Sequence, residues 1–319
     1  MTSQVRFYSA EEVHAALGLE ALADAIADAL RGNVIAPLRH VHSVSPSASL
    51  LLMPAWNASP GGDIGVKLVT VFPENSATPT VNAVYVLFDG ATGEPRAIID
   101  GEALTLRRTA AASLLAARYL ARNDARNVLI VGTGKLAPFM AHAHCSGRAV
   151  QRLMIWGRNA DKARSLTQQL RTEALPAEVA PDLRLAVKQS HIVSCVTTAT
   201  APVVYGAWLA PGTHVDLVGA FKRHMREVDD EAVLRSRVYV DTYAGALSEA
   251  SDVIEPIERG VIQRAGVRAE LSELVSGAVA GRRDSEEITL FKSVGTAIED
   301  LAAARMLITA RVTPVSADK

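Results

Sequence analysis

The sequence has few of the features that mark disulfide-stabilised, nucleic-acid-binding or membrane proteins. Its two cysteines, Cys145 and Cys195, lie in apolar surroundings without metal-ligand spacing, which predicts buried thiols in a reducing compartment and no metal site. A formal net charge of −1 provides no field that would attract nucleic acid or an anionic membrane. No apolar run approaches the roughly 18 residues of a membrane span, and acidic residues interrupt the N-terminal apolar runs, which argues against a signal peptide. We therefore expect a cytoplasmic protein.

The length and composition fit a globular protein of two domains. The chain has 319 residues, of which 49% are hydrophobic and 21% are charged, and this length exceeds what one core usually organises. After Asn127, near-continuous apolar runs alternate with segments of helical spacing. Strands that are buried on both faces have this character, so the pattern predicts an α/β fold with a doubly wound parallel sheet. The predicted strands are Val128–Val131, Leu153–Trp156, Leu183–Val187, Ile192–Val196, His214–Val218 and Val238–Asp241, and the predicted helices include Asp161–Ala174 and Glu227–Arg235.

The N-terminal part of the chain has a different pattern. Ser9 and Glu12 form a capping-box signature, and the apolar spacing that follows predicts an amphipathic helix through Leu30. After Pro37 the pattern changes to strands that are separated by Pro, Gly and Asn turns. The predicted strands are Ser49–Met53, Asp63–Val71, Val81–Asp89 and Ala97–Asp100.

Two alanine-rich helices, predicted at Arg108–Ala121 and Gly295–Thr309, flank the alternating region. If the second helix packs back on the N-terminal domain, both crossings between the domains lie close together. We therefore predict a discontinuous first domain, residues 1–120 plus 296–319, into which a nucleotide-binding domain, residues 121–295, is inserted.

A glycine-rich turn follows the first strand of the alternating region. Gly132 permits a tight strand-to-helix turn, Gly134 lets backbone N–H groups approach a pyrophosphate, and Ala137 is small where the helix packs on the strand. The N-terminus of the next helix then faces the phosphates. The turn predicts a dinucleotide site in which the cofactor-binding residues are Gly132, Thr133, Gly134, Lys135 and Leu136.

The end of the second strand bears on the choice of dinucleotide. An acidic residue there would favour NAD, whereas this sequence has Arg158, with Asn159 and Lys162 close behind. A guanidinium binds phosphate through paired charge-assisted hydrogen bonds, so we predict NADP(H), with NAD(H) also possible. In the alternative interpretation, Arg158 stacks on the adenine and does not distinguish the two.

Residues near the ends of later strands complete the predicted cofactor site. Thr197–Thr200 follows a strand end, where loops of parallel sheets contact bound nucleotides, although a threonine-rich turn is an equal alternative. Ser293 or a neighbour is expected to cap the last helix while facing the nicotinamide. The further predicted cofactor-binding residues are Thr109, Arg158, Asn159, Thr197, Thr198, Thr200, Val218 and Ser293.

Several cations of the first domain are candidates to bind a substrate. Arg39 follows Pro37, and Lys67 lies inside an apolar strand. Arg107 and Arg108 are predicted to start a helix, where cations oppose the macrodipole, so a substrate carboxylate or a cofactor phosphate should compensate them. The structural alternatives are a lysine that extends to water and arginines that pair with a neighbouring acid.

Taken in order, these motifs resemble the ornithine cyclodeaminase/mu-crystallin family over almost the whole chain. The resemblance is carried by Gly65–Thr70, Asp100-Gly101, Arg107–Ala111, Gly132–Ala137, Thr197–Thr200, Asp229-Asp230 and Glu287–Gly295. It implies a Rossmann-type sheet inserted into a discontinuous α+β domain that binds substrate and forms a homodimer through its sheet. It also implies that Arg39, Lys67 and Arg108 bind a substrate carboxylate, and that Arg107 has a structural or phosphate role.

The sequence departs from the family at one position. Cyclodeaminases of this family have an Asp after the fifth strand, and our alignment places Phe221 there. A phenyl ring cannot accept a proton, so cyclodeamination loses its general base, whereas reduction of a preformed imine has less need of one. We therefore predict an NAD(P)H-dependent reductase of a small cyclic ketimine, pyrroline-2-carboxylate or piperideine-2-carboxylate, in which Lys67 is catalytic.

Two alternatives remain at the level of the sequence. An ornithine cyclodeaminase would form proline and ammonia with NAD, and it would need another base, such as Glu74 or Asp100. A non-catalytic, NADPH-dependent binding protein would follow the hormone binding of mu-crystallin. The three cations argue against the latter, because a hydrophobic ligand does not need them.

Overall fold

The structure is a computed structural model that describes residues 5–310. The chain divides into two compact units, the first made of residues up to Arg108 together with those from Thr296, and the second of Thr109–Gly295. The outermost parts of the predicted first domain, residues 1–4 and 311–319, lie outside the described residues. No helix within residues 5–310 is long and apolar enough to cross a membrane.

A seven-stranded sheet organises the first unit. Its order is β1-β7-β6-β5-β4-β2, and β3 pairs with β4. Strands β4 to β7 form an antiparallel meander, and β1 is parallel to β7. The bounds are β1 Arg6–Tyr8, β2 Val34–Ile35, β3 His40–Ser43, β4 Ser49–Asn57, β5 Ile64–Val71, β6 Val81–Phe88 and β7 Pro95–Asp100.

The N-terminal capping box is confirmed, because Ser9 and Glu12 exchange hydrogen bonds at the start of a helix. The single helix predicted through Leu30 is wrong: the chain forms α1 Ala10–Ala16 and α2 Leu19–Arg31. Gly18 separates them with an extended backbone, which a residue of low helix propensity adopts at little cost. The buried face of α2 packs against α11, Ala297–Thr309, which also packs on β4 and β5.

Helix α3 runs over Gly101–Leu120, so it begins before the predicted start at Arg108. The Asp100 carboxylate accepts the Ala103 N–H at 2.8 Å and caps the helix. A Cβ at residue 101 would lie 2.6 Å from the backbone of Ala83, which explains why a glycine begins it. Arg107 and Arg108 therefore lie within the helix, and the prediction that they oppose the macrodipole at its first turn is wrong.

The second unit confirms the doubly wound α/β sheet. Its eight strands are all parallel in the order β10-β9-β8-β11-β12-β15-β13-β14, and the central strands are buried along their whole length. The strands are β8 Asn127–Val131, β9 Arg152–Trp156, β10 Ala177–Val179, β11 Ile192–Cys195, β12 His214–Leu217, β13 Arg237–Val240, β14 Val267–Glu270 and β15 Thr289–Lys292. The helices are α4 Ala137–Cys145, α5 Ala160–Thr172, α6 Leu183–Gln189, α7 Asp230–Leu234, α8 Tyr243–Glu249, α9 Ser251–Glu258 and α10 Leu271–Val275.

Two predictions within the second unit are corrected. The segment Leu183–Val187, predicted as a strand, belongs to helix α6, because Asp182 caps it and Ala186 and Val187 are buried with helical spacing while Leu185 is exposed. The helix predicted from Glu227 begins only at Asp230, after the N-cap Asp229. Glu227 lies instead in the loop before this helix, where its side chain is fully buried.

Candidate active site

The glycine-rich turn has the geometry of a phosphate cradle. Gly132 has a φ of 128°, and a Cβ there would lie 2.8 Å from the Val196 carbonyl oxygen, so a larger residue would not fit. Apart from Gly134 and its two chain neighbours, no heavy atom of residues 5–310 lies within 4 Å of the position that a Cβ on Gly134 would take. Helix α4 begins at Ala137, so the positive end of its dipole lies at this turn. The turn therefore fits a pyrophosphate.

A crevice of about 600 Å³ extends from this turn along the ends of β8, β9 and β11. Seven predicted cofactor-binding residues line it together, although they come from three separate segments. They are Gly132, Thr133, Gly134, Arg158, Asn159, Thr197 and Thr198. Lys162, which the sequence analysis noted beside Arg158, lines the crevice as well. The sequence prediction missed five further lining residues, which are Trp156, Gly157, Val196, Ala199 and Val203.

The other predicted cofactor-binding residues have different positions. Lys135 lines a smaller adjoining pocket of about 270 Å³, and Leu136 is the N-cap residue of α4. Thr200 is exposed after β11, whereas Thr109 in α3 and Val218 after β12 are buried.

The expectation that Ser293 caps the last helix is corrected by the structure. Thr296 is the N-cap residue of α11, and its side chain accepts the Ile298 N–H. The buried Ser293 hydroxyl donates instead to the Asp241 carboxylate at 3.1 Å. Asp241 also accepts the N–H groups of Val294 and Gly295, so this acid shapes the loop after β15.

The crevice carries positive charge where the second strand ends. Arg158 is exposed at the end of β9, and Lys162 lies one turn into α5. Asn159 is the N-cap residue of that helix, because its side-chain oxygen accepts the Lys162 N–H at 3.0 Å. The cap fixes the start of α5 beside both cations. Arg158 and Lys162 would attract an anionic group that binds in the crevice.

The first unit contains a buried cluster of opposite charges around Lys67. This lysine is only 2% exposed, on the face of β5 that also carries the buried Met53 and Tyr85 of the neighbouring strands. Its ammonium donates to Asp300 Oδ1 at 2.9 Å and lies 2.8 Å from Oδ2. It also donates to the Thr105 hydroxyl at 3.4 Å. Lys67 therefore does not extend to water, which was the structural alternative for it.

Arg108 joins the same cluster from helix α3. Its Nη1 donates to Glu299 Oε2 at 2.6 Å, and its Nε lies 3.1 Å from Asp300 Oδ1. Glu299 and Asp300 are fully buried on α11. The sequence prediction missed both acids. The available signal was an acidic pair inside an otherwise alanine-rich helix, which needs cationic partners if that helix is buried.

The surroundings of Lys67 lower its pKa and so make the ammonium easier to deprotonate. Burial, together with the charges of Arg108 and Arg39, lowers the pKa of Lys67 to about 8, although the carboxylate of Asp300 opposes this change. Arg39, which is half-buried before β3, is thus close enough for its charge to act on Lys67. Lys67 and Arg108 thus share the buried carboxylates of Glu299 and Asp300.

Arg107 has a structural role that separates it from this cluster. Its guanidinium donates to the backbone oxygen of His14 at 2.6 Å and to His14 Nδ1 at 3.3 Å. These bonds tie α3 to the end of α1.

The residues that a cyclodeaminase would need as a base have other partners. Phe221 packs as a partly buried side chain against the core of the second unit. Asp100 caps α3, and Glu74 is exposed and accepts the Ser47 hydroxyl at 2.7 Å.

Comparison with known sequences identifies relatives along the whole chain. Residues 4–313 match the Ornithine cyclodeaminase/mu-crystallin family. Protein SAR DEFICIENT 4 of Arabidopsis thaliana is 40% identical over 283 residues, which cover 86% of this chain and 87% of that protein. A protein of Colwellia psychrerythraea named Delta(1)-pyrroline-2-carboxylate reductase is 34% identical over 314 residues, which cover 95% of this chain and 98% of the relative.

Solved structures have the same fold over nearly the same length. The Delta(1)-pyrroline-2-carboxylate reductase of Thermococcus litoralis, in complex with NADH and L-proline, has a TM-score of 0.90 and 33% identity, covering 95% of this chain and 96% of that one. An archaeal alanine dehydrogenase dimer with bound NAD has a TM-score of 0.88 and 28% identity, covering 95% and 94%.

Proposed function

The chain belongs to the ornithine cyclodeaminase/mu-crystallin family, and from that premise we propose that it is an NAD(P)H-dependent reductase of small cyclic ketimines. Its substrates are pyrroline-2-carboxylate or piperideine-2-carboxylate, and its product is the L-imino acid. The observation that carries this proposal is the buried Lys67, held by Asp300 beside Arg108. The 34% identity to a relative named for pyrroline-2-carboxylate reduction supports it.

The cations of the first unit suit a small carboxylate. Arg108 keeps its guanidinium in place through Glu299 and Asp300, so it does not have to be ordered when a ligand binds. Arg39 and Arg108 bind the substrate carboxylate, because guanidinium groups form paired hydrogen bonds with carboxylates. A carboxylate beside these guanidinium groups gains a Coulombic attraction that a neutral ligand lacks.

Lys67 is the proton donor of the reaction. Reduction of a C=N bond adds a hydride to the imine carbon, which NADPH or NADH supplies when bound, and a proton to the nitrogen. With a pKa of about 8, the Lys67 ammonium is mostly protonated at neutral pH yet releases its proton more readily than an ordinary lysine. Asp300 orients the ammonium through both of its oxygens and opposes its early deprotonation.

The cofactor is a nicotinamide dinucleotide, with NADPH preferred and NADH as the alternative. Gly132, Gly134 and the start of α4 hold the pyrophosphate. Arg158 and Lys162 bind the 2′-phosphate of NADPH, which NADH lacks. The solved relatives hold NADH and NAD, so the preference for the phosphorylated form rests on these two cations of this chain.

The protein acts as a homodimer that associates through the sheet of the first unit. Helices α2 and α11 are on one face of this sheet, and the other face presents half-buried apolar side chains in neighbouring register. An apolar sheet face of this kind requires a covering partner. The residues that form it are Leu52, Pro54, Val66, Leu68, Val84 and Val86. The archaeal relative of similar structure is a dimer.

The test is a spectrophotometric assay of reduced nicotinamide with pyrroline-2-carboxylate and piperideine-2-carboxylate. We expect oxidation of NADPH in step with formation of proline or pipecolate. A parallel incubation with ornithine and NAD tests for proline and ammonia, the products of a cyclodeaminase. Turnover in the second assay alone, or tight NADPH binding with turnover in neither, would contradict the proposal.

A further inference from the structure

A buried glutamate joins two loops of the second unit. Glu227 lies between β12 and α7 and is fully buried. Its Oε1 accepts the Thr197 N–H at 2.7 Å and the Thr197 hydroxyl at 3.0 Å. Its Oε2 accepts the N–H groups of Gly219 at 3.0 Å and Ala220 at 3.1 Å. One carboxylate thus binds four donors from the loops that follow β11 and β12.

These two loops are in close contact, and one of them lines the dinucleotide crevice. A Cβ at residue 219 would lie 2.1 Å from the Thr197 carbonyl oxygen and 2.2 Å from its nitrogen, so the contact requires Gly219. Thr197, Thr198 and Ala199 line the crevice. The position of this wall therefore depends on the carboxylate behind it.

Two further buried charged groups, Lys292 and Asp252, lie beside Glu227. Lys292 Nζ lies 3.0 Å from Asp252 Oδ2 and 3.9 Å from Glu227 Oε2. Asp252 Oδ1 accepts the N–H groups of Glu227 at 2.8 Å and Val228 at 3.2 Å. All three charged side chains are fully buried. Burial of three charges is costly, and apolar packing would stabilise a fold at least as well, so the cluster points to a need other than stability.

We propose that Glu227 is a positioning residue for the cofactor: its carboxylate holds the loops after β11 and β12 in the shape that binds the dinucleotide. This rests on the proposed function, because it takes the crevice to be the site of NAD(P)H. Glu227 does not touch the cofactor in this proposal and acts through Thr197. A carboxylate is needed because all four groups that face it are donors, and an amide or a protonated acid would turn a hydrogen toward them.

The ionisation of Glu227 should make the affinity for the cofactor depend on pH. Burial raises the pKa of Glu227 to about 7, the Lys292 ammonium opposes this change, and the Asp252 carboxylate adds to it. Below that pH the group gains a proton and loses an acceptor position. Cofactor affinity is therefore expected to fall as the pH decreases through 7. NADH is the better probe, because it lacks the 2′-phosphate that titrates in the same range.

The experiment compares Glu227→Gln with the control Glu231→Gln, which removes a half-exposed carboxylate on the adjoining α7. The dissociation constant of NADH is measured by calorimetry at pH 6 and pH 8. We expect E227Q to weaken NADH binding at pH 8 by about tenfold or more and to remove the pH dependence that wild type and E231Q share. Wild-type affinity in E227Q, or a pH dependence that E227Q retains, overturns the proposal.

A second variant keeps the test valid if E227Q does not fold. Thr197→Val keeps the side-chain shape and removes the hydroxyl that donates to Glu227 and accepts the Ala199 N–H at 3.3 Å. We expect T197V to bind NADH several-fold more weakly and to increase hydrogen exchange at the amides of Gly219 and Ala220. If the E227Q protein folds, adding T197V to it should cost little more, because the hydroxyl acts through Glu227. Unchanged exchange and affinity in T197V contradict the proposal.

These outcomes are separate from those of the proposed function. A wild-type protein that binds NADH but reduces no ketimine refutes the proposed reaction and leaves the role of Glu227 intact. An active wild type whose E227Q variant binds NADH equally well refutes the role of Glu227 alone.

Discussion

At the scale of single residues, the candidate site depends on how buried charges share their partners. Lys67 and Arg108 are held by Asp300 and Glu299, and all four side chains are at most 5% exposed. A buried ion pair is costly to break, because removal of one partner leaves the other uncompensated. The same pairing pre-organises the cations, so in the proposed reaction a substrate carboxylate would bind groups that are already in place.

Loss of the Lys67 ammonium should abolish most of the activity. We expect Lys67→Met to lower kcat/KM by about 10²–10⁴-fold, because proton donation from a positioned side chain contributes this much. The affinity for NADPH should remain, since the crevice lies in the other unit of the chain. Steady-state kinetics and calorimetry check both parts, with the exposed Lys188→Met as the control. Full turnover in K67M would exclude Lys67 as the proton donor.

Asp300 should control the pH range of the reaction. Its charge raises the pKa of Lys67 toward the ordinary value, so Asp300→Asn lowers that pKa and deprotonates the lysine at lower pH. Because the protonated form is the active one, activity is retained at low pH and lost as pH rises, and the alkaline limb of the kcat profile moves to lower pH. We expect a loss of about tenfold at pH 8 relative to pH 6. The control is the exposed Glu11→Gln, and an unmoved alkaline limb in D300N would refute this role.

Arg158 should decide the preference between the two dinucleotides. A hydrogen bond to a charged group contributes about 1.5–3 kcal/mol, so Arg158→Gln is expected to weaken NADPH binding by about tenfold to a hundredfold. NADH binding should change little, since it lacks the 2′-phosphate. Arg164→Gln, on the exposed face of α5, is the matched control. Equal losses for both cofactors would support the alternative that Arg158 stacks on the adenine.

At the scale of secondary-structure elements, α11 links the stability of the first unit to its site. One side of the helix packs on α2, β4 and β5, and Glu299 and Asp300 extend from the same helix to the cations. The position of the carboxylates therefore depends on the packing of α2 against α11.

A cavity beneath α2 should show how much the packing of this helix stabilises the first unit. Ile26 is fully buried on α2, and Ile26→Ala is expected to destabilise the first unit by about 2–5 kcal/mol. Urea unfolding followed by circular dichroism measures the change. Leu185→Ala removes a half-exposed side chain from α6 and is the control. A loss below about 1 kcal/mol in I26A would show that α2 contributes little to the unit.

At the scale of the whole molecule, the apolar face of the first unit's sheet is the surface that we propose to form the dimer interface. Leu68 lies at the centre of this face, with Leu52 and Val84 directly opposite it on the neighbouring strands. A contiguous apolar surface on a sheet is costly in water and is typical of an interface between subunits.

A charge on this face should dissociate the proposed dimer. We expect Leu68→Glu to sediment as a monomer at concentrations where the wild type is a dimer, because a carboxylate would be buried without a partner. Analytical ultracentrifugation gives the result. Thr92→Glu, in the exposed turn between β6 and β7, is the control. A persistent dimer in L68E would place the interface on another surface.

The amino-acid sequence by itself determined the features that depend on neighbours in the chain. The Ser9–Glu12 capping box and the turn at Gly132 and Gly134 each lie within one short segment, and apolar runs identified most strands of the parallel sheet. Where local spacing was ambiguous, as at Leu183–Val187, the prediction was wrong, because a short apolar run fits a strand or a helix.

Only the tertiary structure decided which charges meet. Lys67 and Asp300 are 233 positions apart, and Glu227 binds Thr197 from 30 positions away. No local periodicity records such pairs, since each forms only when separate elements pack and exclude water. The sequence therefore determined which cations are available, while burial and the acids brought to them by folding set their orientation and proton affinity.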